Sequence, residues 1–312
     1  MTQQRILVLG AGELGMSVLR NLALRAGSSA LGISVLLRPS TLHSTDPVKQ
    51  REIDALRTLG IERIPGDLAA DSVDTLAALF KRFDTVVSCT GFVGGKGVQL
   101  KIARAALNAG VPRFFPWQFG VDYDVIGRGS AQDLFDEQLD VRDLLRAQSR
   151  TDWVIVSTGM FTSFLFEPSF GVVDVENGIV RALGGWDHAV TVTTAEDIGR
   201  LTTEILLAEP RISHRVVHVA GETIAYGQLA DKLDTFTGRS FERVEWTVPQ
   251  LKQELALDPD NGLKKYRVVF AQGKGVAWDE RQTFNAQRGM AVENVGEWMR
   301  RNLGANERAL AE

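Results

Sequence analysis

One cysteine, four histidines, no basic run and no long apolar stretch bound what this chain of 312 residues can be. With Cys89 alone, an internal disulfide is excluded, and the pattern expects a reducing compartment, read here as cytoplasmic. Cys89 follows the apolar run Thr85-Val-Val and reads as a small buried hydrophobe rather than a nucleophile. His43, His188, His214 and His218 include no helical pair, so no metal site is expected. The net charge is −4 without a cationic cluster, which points away from nucleic acid. No stretch is long enough to span a bilayer, and the short apolar run near the start leads into a glycine turn rather than a cleavage site. What remains is 44% hydrophobic and 24% charged, the balance of a globular protein long enough for one large α/β domain or two lobes.

The most informative stretch is Arg5–Gly15, RILVLGAGELG. Ile6, Leu7, Val8 and Leu9 form a short apolar run without helical period, Gly10, Gly12 and Gly15 follow in G-x-G-x-x-G spacing, and apolar residues then recur three and four apart. This is a buried strand, a tight turn and a helix. Gly10 allows the sharp turn, Gly12 leaves the backbone open to a pyrophosphate, and Gly15 lets helix and strand pack closely. The helix start, Glu13 and Leu14 included, offers free N–H groups and a positive dipole end to phosphates.

Further strands are expected at Ile33–Leu37, Ile61–Ile64, Asp84–Ser88, Val111–Pro116 and Asp152–Ser157. Helices are expected at Pro47–Leu59, through Phe80 behind an Asp71-Ser72 cap, at Val98–Asn108 before Gly110, and at Ala131–Gln148. Strict alternation of this kind predicts an α/β fold: a doubly wound parallel sheet of the Rossmann type, with ligands beyond the C-terminal strand ends. Those ends carry Thr90, Gly91 and Phe92, then Pro116, Gln118 and Phe119. Later, Val180–Trp186 and Ala189–Thr193 read as strands around a turn. A helix runs from Thr194 to Leu207, a strand from Arg215, a helix over Tyr226–Thr237, a strand from Val244 and a helix from Pro249. Residues 1–158 are therefore expected to form the dinucleotide domain, and 159–312 a smaller C-terminal substrate lobe.

The second strand ends in Arg38 with no acidic residue before Asp46. A carboxylate there would hold the ribose of NAD, whereas an arginine fork suits the 2′-phosphate of NADP. The expected cofactor is NADP(H). Trp117, Met160, Phe161, Phe164 and Trp186 near strand ends suggest a pocket for a small aromatic substrate.

The chain resembles the NmrA-like, isoflavone reductase-like group of atypical short-chain dehydrogenase/reductases. The resemblance is strongest over VQLKIARAALNAGVPRFFPWQFGVD (98–122), which is similar to the family's helix followed by a "KRFxPSEFG"-like strand end. Arg38-Pro-Ser40-Thr41 with Lys49 is similar to its NADP phosphate-binding pattern, Gly66-Asp67-Leu68 to its adenine-side turn, and Thr194-Ala-Glu-Asp-Ile-Gly to its late helix start. The resemblance implies the same fold and an NADPH-dependent reductase.

Two positions depart from the family pattern. Leu9 replaces the first glycine of its usual turn. The family's catalytic lysine falls on Gln138 within Phe135-Asp-Glu-Gln-Leu-Asp-Val-Arg, while its following arginine is kept as Arg142. An amide donates a hydrogen bond but supplies no proton at a useful pKa. Either Gln138 orients substrate while Tyr123, His188 or water gives the proton, or the protein is not a reductase of the usual sort. Lys101 reads as a scaffold charge. The expected function is an NADPH-dependent reductase of an aromatic or quinone-like small molecule, with a homodimer or a regulatory protein partner both open. The alternative is a non-catalytic NADP(H)-sensing regulator of the NmrA type.

Overall fold

The computed structural model describes residues 3–27, 30–92 and 94–304, and the chain divides into two compact units. The first comprises Met1–Gln118, Glu137–Val156 and Ile198–Val217; the second comprises Phe119–Asp136, Ser157–Asp197 and His218–Glu312. One crossing, Val156 to Ser157, lies beside the expected boundary at 158. The others do not: the stretch 119–136 belongs with the later sequence and 198–217 with the earlier. The second unit is nearly as large as the first, so it is not the smaller lobe expected.

The seven-stranded sheet is built from β1 (Gln4–Leu9), β2 (Leu31–Leu37), β3 (Glu62–Pro65), β4 (Thr85–Ser88), β5 (Arg113–Phe115), β6 (Asp152–Ser157) and β7 (Arg215–His218). Their order is β7-β6-β5-β4-β1-β2-β3. The pairings β1 with β2 and β4, β2 with β3, β4 with β5, and β5 with β6 are parallel. Ile6, Leu7, Val8 and Leu9 have no exposed surface, as a run buried on both faces of a parallel sheet requires. The order reverses at β1 and β4, the switch point beside which such sheets bind ligands.

The helices include α1 (Glu13–Ala26), α2 (Pro47–Thr58), α3 (Val73–Phe80), α4 (Val98–Ala109) and α5 (Leu134–Arg146). Asp46 caps α2 through the Val48 N–H, and Ser72 caps α3 through the Thr75 N–H. Gly110 ends α4 in the left-handed region. Leu76, Phe80, Ile102, Phe114, Leu145 and Trp153 join one apolar core from helices and sheet. Burying each such side chain is worth about 1.5–3 kcal/mol. The fifth strand is shorter than expected, because Pro112 and Pro116 bracket it and donate no ladder bond. The helix expected from Ala131 begins at Leu134, behind turn bonds from Phe135 N to Gln132 O and from Asp136 N to Asp133 O.

The second unit holds two three-stranded sheets and the later helices. Here one expectation is corrected. Ile179–Leu183 and Ala189–Thr193 are both strands, but they do not pair around a turn. The first pairs with Glu242–Trp246 and Val173–Asp174; the second pairs with Glu222–Ala225 and Met160–Phe161. Gly184, at φ +86, turns the chain out of one sheet before it enters the other. No helix among the described residues is long and apolar enough to cross a membrane.

Candidate functional site

The glycine turn behaves as its spacing predicts. Gly10 sits at φ +89, a region closed to most side chains. A Cβ on Gly15 would lie 2.3 Å from the Gly10 carbonyl oxygen, so α1 approaches β1 only because residue 15 has none. A Cβ on Gly12 would meet nothing within 4 Å, and Gly12 opens α1 with no side-chain cap. No side chain of residue 12 therefore caps the start of α1 where the backbone is open.

Beside the turn lies a cavity of about 310 Å³ within the first unit. It brings together eight of the expected cofactor residues: Gly10, Gly12, Arg38, Thr41, Lys49, Asp67, Leu68 and Thr90. Arg38 is exposed at the end of β2 and makes no ion pair within 4 Å among the described residues. Lys49 pairs with Glu52 at 2.8 Å. The Asp67 carboxylate accepts the Ala69 and Ala70 N–H groups at 2.9 and 3.1 Å, and these bonds hold it below the usual carboxylate range, with Arg38 and Lys101 adding to the effect. Lys101 donates to the carbonyls of Ala69 and Asp71 at 2.8 and 3.1 Å. It thus ties down the loop that carries Asp67 and Leu68, a scaffold role. Cys89 lines the inner wall, and burial pushes its thiol strongly up, which keeps it unreactive.

The remaining expected cofactor residues lie off this cavity. Glu13, Leu14 and Gly15 belong to the first turn of α1, with Leu14 buried. Ser40 is exposed in the short helix Pro39–Leu42. The Gly91 carbonyl accepts from the Gln99 side chain, and the Trp117 ring lies 3.5 Å from where a Gly91 Cβ would be. The Phe92 carbonyl closes a turn with Gly95 N at 2.9 Å. Pro116 is buried just past β5, and Phe119 is buried in the second unit.

Gln118 and Arg142 do not line the cavity. Both are fully buried, and the structure joins them to the catalytic candidate Gln138. Arg142 Nε donates to Gln118 Oε1 at 2.8 Å, and Gln118 Nε2 donates to Gln138 Oε1 at 2.8 Å. Gln138 itself has no exposed surface. Beside it, Glu137 was missed by sequence reasoning. Its carboxylate accepts Gly97 N at 2.7 Å and Leu100 N at 3.0 Å, capping α4 from α5 across 40 residues of sequence. A lone glutamate inside an amphipathic helix gives no signal of that role.

In the second unit, Tyr123 is buried, its ring edge-to-face with Phe135 at a centroid separation of 4.9 Å. Phe135 contacts Tyr266 at 5.8 Å, and Tyr266 contacts Phe164 at 6.1 Å. Phe164 stacks on Phe170 at 4.5 Å. One aromatic cluster thus links the expected Tyr123 and Phe164 through Tyr266, a residue that sequence reading did not single out. Met160 and Phe161 lie on a short strand paired with Val192 and Thr193. Trp186 stands apart, under the Arg243 guanidinium at 6.0 Å. His188 is half-buried, with Nδ1 buried against Gly184 and Gly273 and unpartnered among the described residues. Trp117 is half-buried in the first unit.

The model of the NmrA-like family matches residues 2–286. A Gibberella moniliformis protein described as an NmrA-like family domain-containing oxidoreductase is 47% identical over 296 residues, covering 95% of this chain and 97% of its own length. A crystal structure of isoflavone reductase superposes with a TM-score of 0.78 at 20% identity, covering 96% of this chain and 99% of that one. A complex described as AtPrR2 with NADP+ and (+)pinoresinol gives a TM-score of 0.74 at 18% identity, covering 96% and 98%. The two structural likenesses concern the fold.

Proposed function

The chain belongs to the NmrA-like family, and from that membership and the cavity beside the glycine turn we propose that it is an NADPH-dependent oxidoreductase acting on an aromatic or quinone-like small molecule. The observation that carries the reading is the pairing of an open Gly12 with an unpaired Arg38 around one cavity. Gly12 and the first N–H groups of α1, at Glu13 and Leu14, receive the pyrophosphate. Arg38 takes the 2′-phosphate as a bidentate fork, assisted by Lys49, Ser40 and Thr41. Asp67 and Leu68 hold the adenine side. Thr90, Gly91 and Phe92, with Pro116 and Phe119, belong to the nicotinamide side. Within the second unit, Met160, Phe161 and Phe164 supply apolar surface for the substrate. The oxidoreductase relative and the pinoresinol-bound neighbour support the reaction type and an aromatic substrate class.

Bound NADPH supplies a hydride, and the residues around the acceptor must then meet the negative charge left on it. Gln138 and Tyr123 are the residues proposed for that task. A second reading rests on one observation. Gln138 is sealed and bonded to Gln118, and an amide releases no proton, which suits an NADP(H)-sensing regulator that holds a protein partner without turnover. Calorimetric titration with NADPH and NADH tests the shared premise: NADPH is expected to bind at least ~10-fold tighter, since hydrogen bonds to charged groups are worth about 1.5–3 kcal/mol. Equal affinities would remove it.

A further inference from the structure

An amide side chain looks the same either way round, so shape alone does not decide which end is oxygen. In the first unit, chemistry decides it. Arg142, Gln118 and Gln138 are all fully buried. A guanidinium carries donors only, so Gln118 must turn its oxygen to Arg142 Nε, 2.8 Å away. Its NH2 then faces Gln138, where it donates to Oε1 at 2.8 Å and to the main-chain carbonyl at 2.9 Å. Gln138 is thereby forced to present its own NH2 elsewhere, and Nε2 is buried without a partner among the described residues. Buried donors are nearly always paired, and an unpaired one needs a reason. The oxygen end is accounted for by the Gln118 NH2, for which a methionine of the same length could not serve as acceptor; the NH2 end is accounted for by neither packing nor pairing.

We propose that Arg142–Gln118–Gln138 is a relay that fixes Gln138 as a hydrogen-bond donor to the carbonyl oxygen of a quinone substrate. This rests on the reductase reading above. Gln138 is the group that meets the substrate; Gln118 and Arg142 are positioning residues that act through it. Nε2 has no exposed surface in the free protein, so it is met only when bound substrate displaces its cover. The balance of the step selects the substrate class. A hydride leaves a C–H bond of the bound NADPH and forms an O–H bond at one quinone oxygen; the π electrons shift through the ring, which becomes aromatic, and an electron pair settles on the other oxygen as a phenolate. The amide lends a hydrogen bond and no proton, so the proton comes afterwards from water. That is undemanding for a phenol, with a pKa of about 10. It is demanding for a simple alkoxide, whose basicity approaches that of hydroxide.

The test uses the full-length protein, NADPH and a 1,4-naphthoquinone, with Gln138→Met and Gln118→Glu as variants. In Gln118→Glu the new carboxylate would still pair with Arg142, but its second oxygen would draw the Gln138 NH2 to itself and leave Gln138 presenting an acceptor. Both variants are expected to lose roughly 10–100-fold in kcat, approaching the loss seen when one oxyanion donor is removed. NADPH Kd should stay within about twofold and the Tm of Gln138→Met should stay within about 4 °C of wild type, because the variant sheds one unpaired buried donor while leaving one Gln118 N–H without its acceptor. Undiminished kcat in Gln138→Met overturns the relay while leaving the reductase reading intact. Loss of rate in step with weaker NADPH binding, or with a Tm lowered beyond that range, also overturns it, as a structural effect. A wild-type protein that binds NADPH but oxidises it with no acceptor overturns both.

Discussion

A side chain on Gly15 would set its Cβ 2.3 Å from the carbonyl oxygen of Gly10, whereas one on Gly12 would touch nothing within 4 Å. The two glycines therefore serve different ends, one the packing of α1 on β1 and the other the approach of a ligand. Gly15→Ala is expected to destabilise the fold by about 1–3 kcal/mol, the usual penalty of overpacking. Gly12→Ala should change stability by less than about 0.5 kcal/mol and weaken NADPH at least tenfold (~1.4 kcal/mol). Denaturant unfolding and nucleotide titration of both variants separate the roles. Equal stability losses in the two would contradict the division.

Arg38 faces the cavity with no carboxylate within ion-pair range among the described residues. Arg38→Ala is expected to raise the NADPH Kd by roughly 10–100-fold, consistent with about 1.5–3 kcal/mol for a charge-assisted hydrogen bond. NADH should hardly notice. If both nucleotides lose affinity equally, the 2′-phosphate is not the partner of Arg38.

Glu137 holds the N–H groups of Gly97 and Leu100 from a neighbouring helix and is itself nearly fully buried. Removing it orphans two donors at the start of α4, whose first residue Val98 lines the cavity. Glu137→Ala is expected to cost about 2–4 kcal/mol, at about 1–3 for each orphaned buried donor with partial relief by water. Urea midpoints at constant m-value measure it, and a cost under about 0.5 kcal/mol would show that water replaces the clamp.

Burial pushes the Tyr266 hydroxyl up to about 12, against about 10 in an unfolded chain. Between those values the native state keeps a proton that the unfolded state has released. The resulting stability is complete below about pH 10 and lost as pH rises through about 12, up to ~2 kcal/mol given that the residue is half-buried. Tyr266→Phe should remove this part of the alkaline destabilisation. Unfolding curves that fall in parallel for wild type and variant across that window would count against it.

Much of the first unit was legible because its signals are local. The central strands carry apolar runs, α2 and α3 carry side-chain caps, α4 ends at a glycine, and the glycine turn encodes its own geometry. Arg38 and Asp67 could be placed at one site because parallel strands bring their C-terminal ends to the same edge. What could not be read depends on distance in sequence. The strands 179–183 and 189–193 look like hairpin arms, yet their hydrogen-bond partners lie at 242–246 and 222–225. The return of 119–136 to the later sequence, the clamp from Glu137, and the seal around Gln138 are all set by tertiary packing. Gln138 illustrates the limit: its alignment with a lysine was visible, but its burial against Gln118 was not.

The central claim is turnover, and the most direct measurement is loss of NADPH absorbance with the purified protein across quinones, enones, aromatic aldehydes and benzylic ethers. The account predicts oxidation with at least one acceptor, fastest with a quinone and much slower with NADH in place of NADPH. Tight NADPH binding with no oxidation across the panel would contradict it and favour the sensor reading.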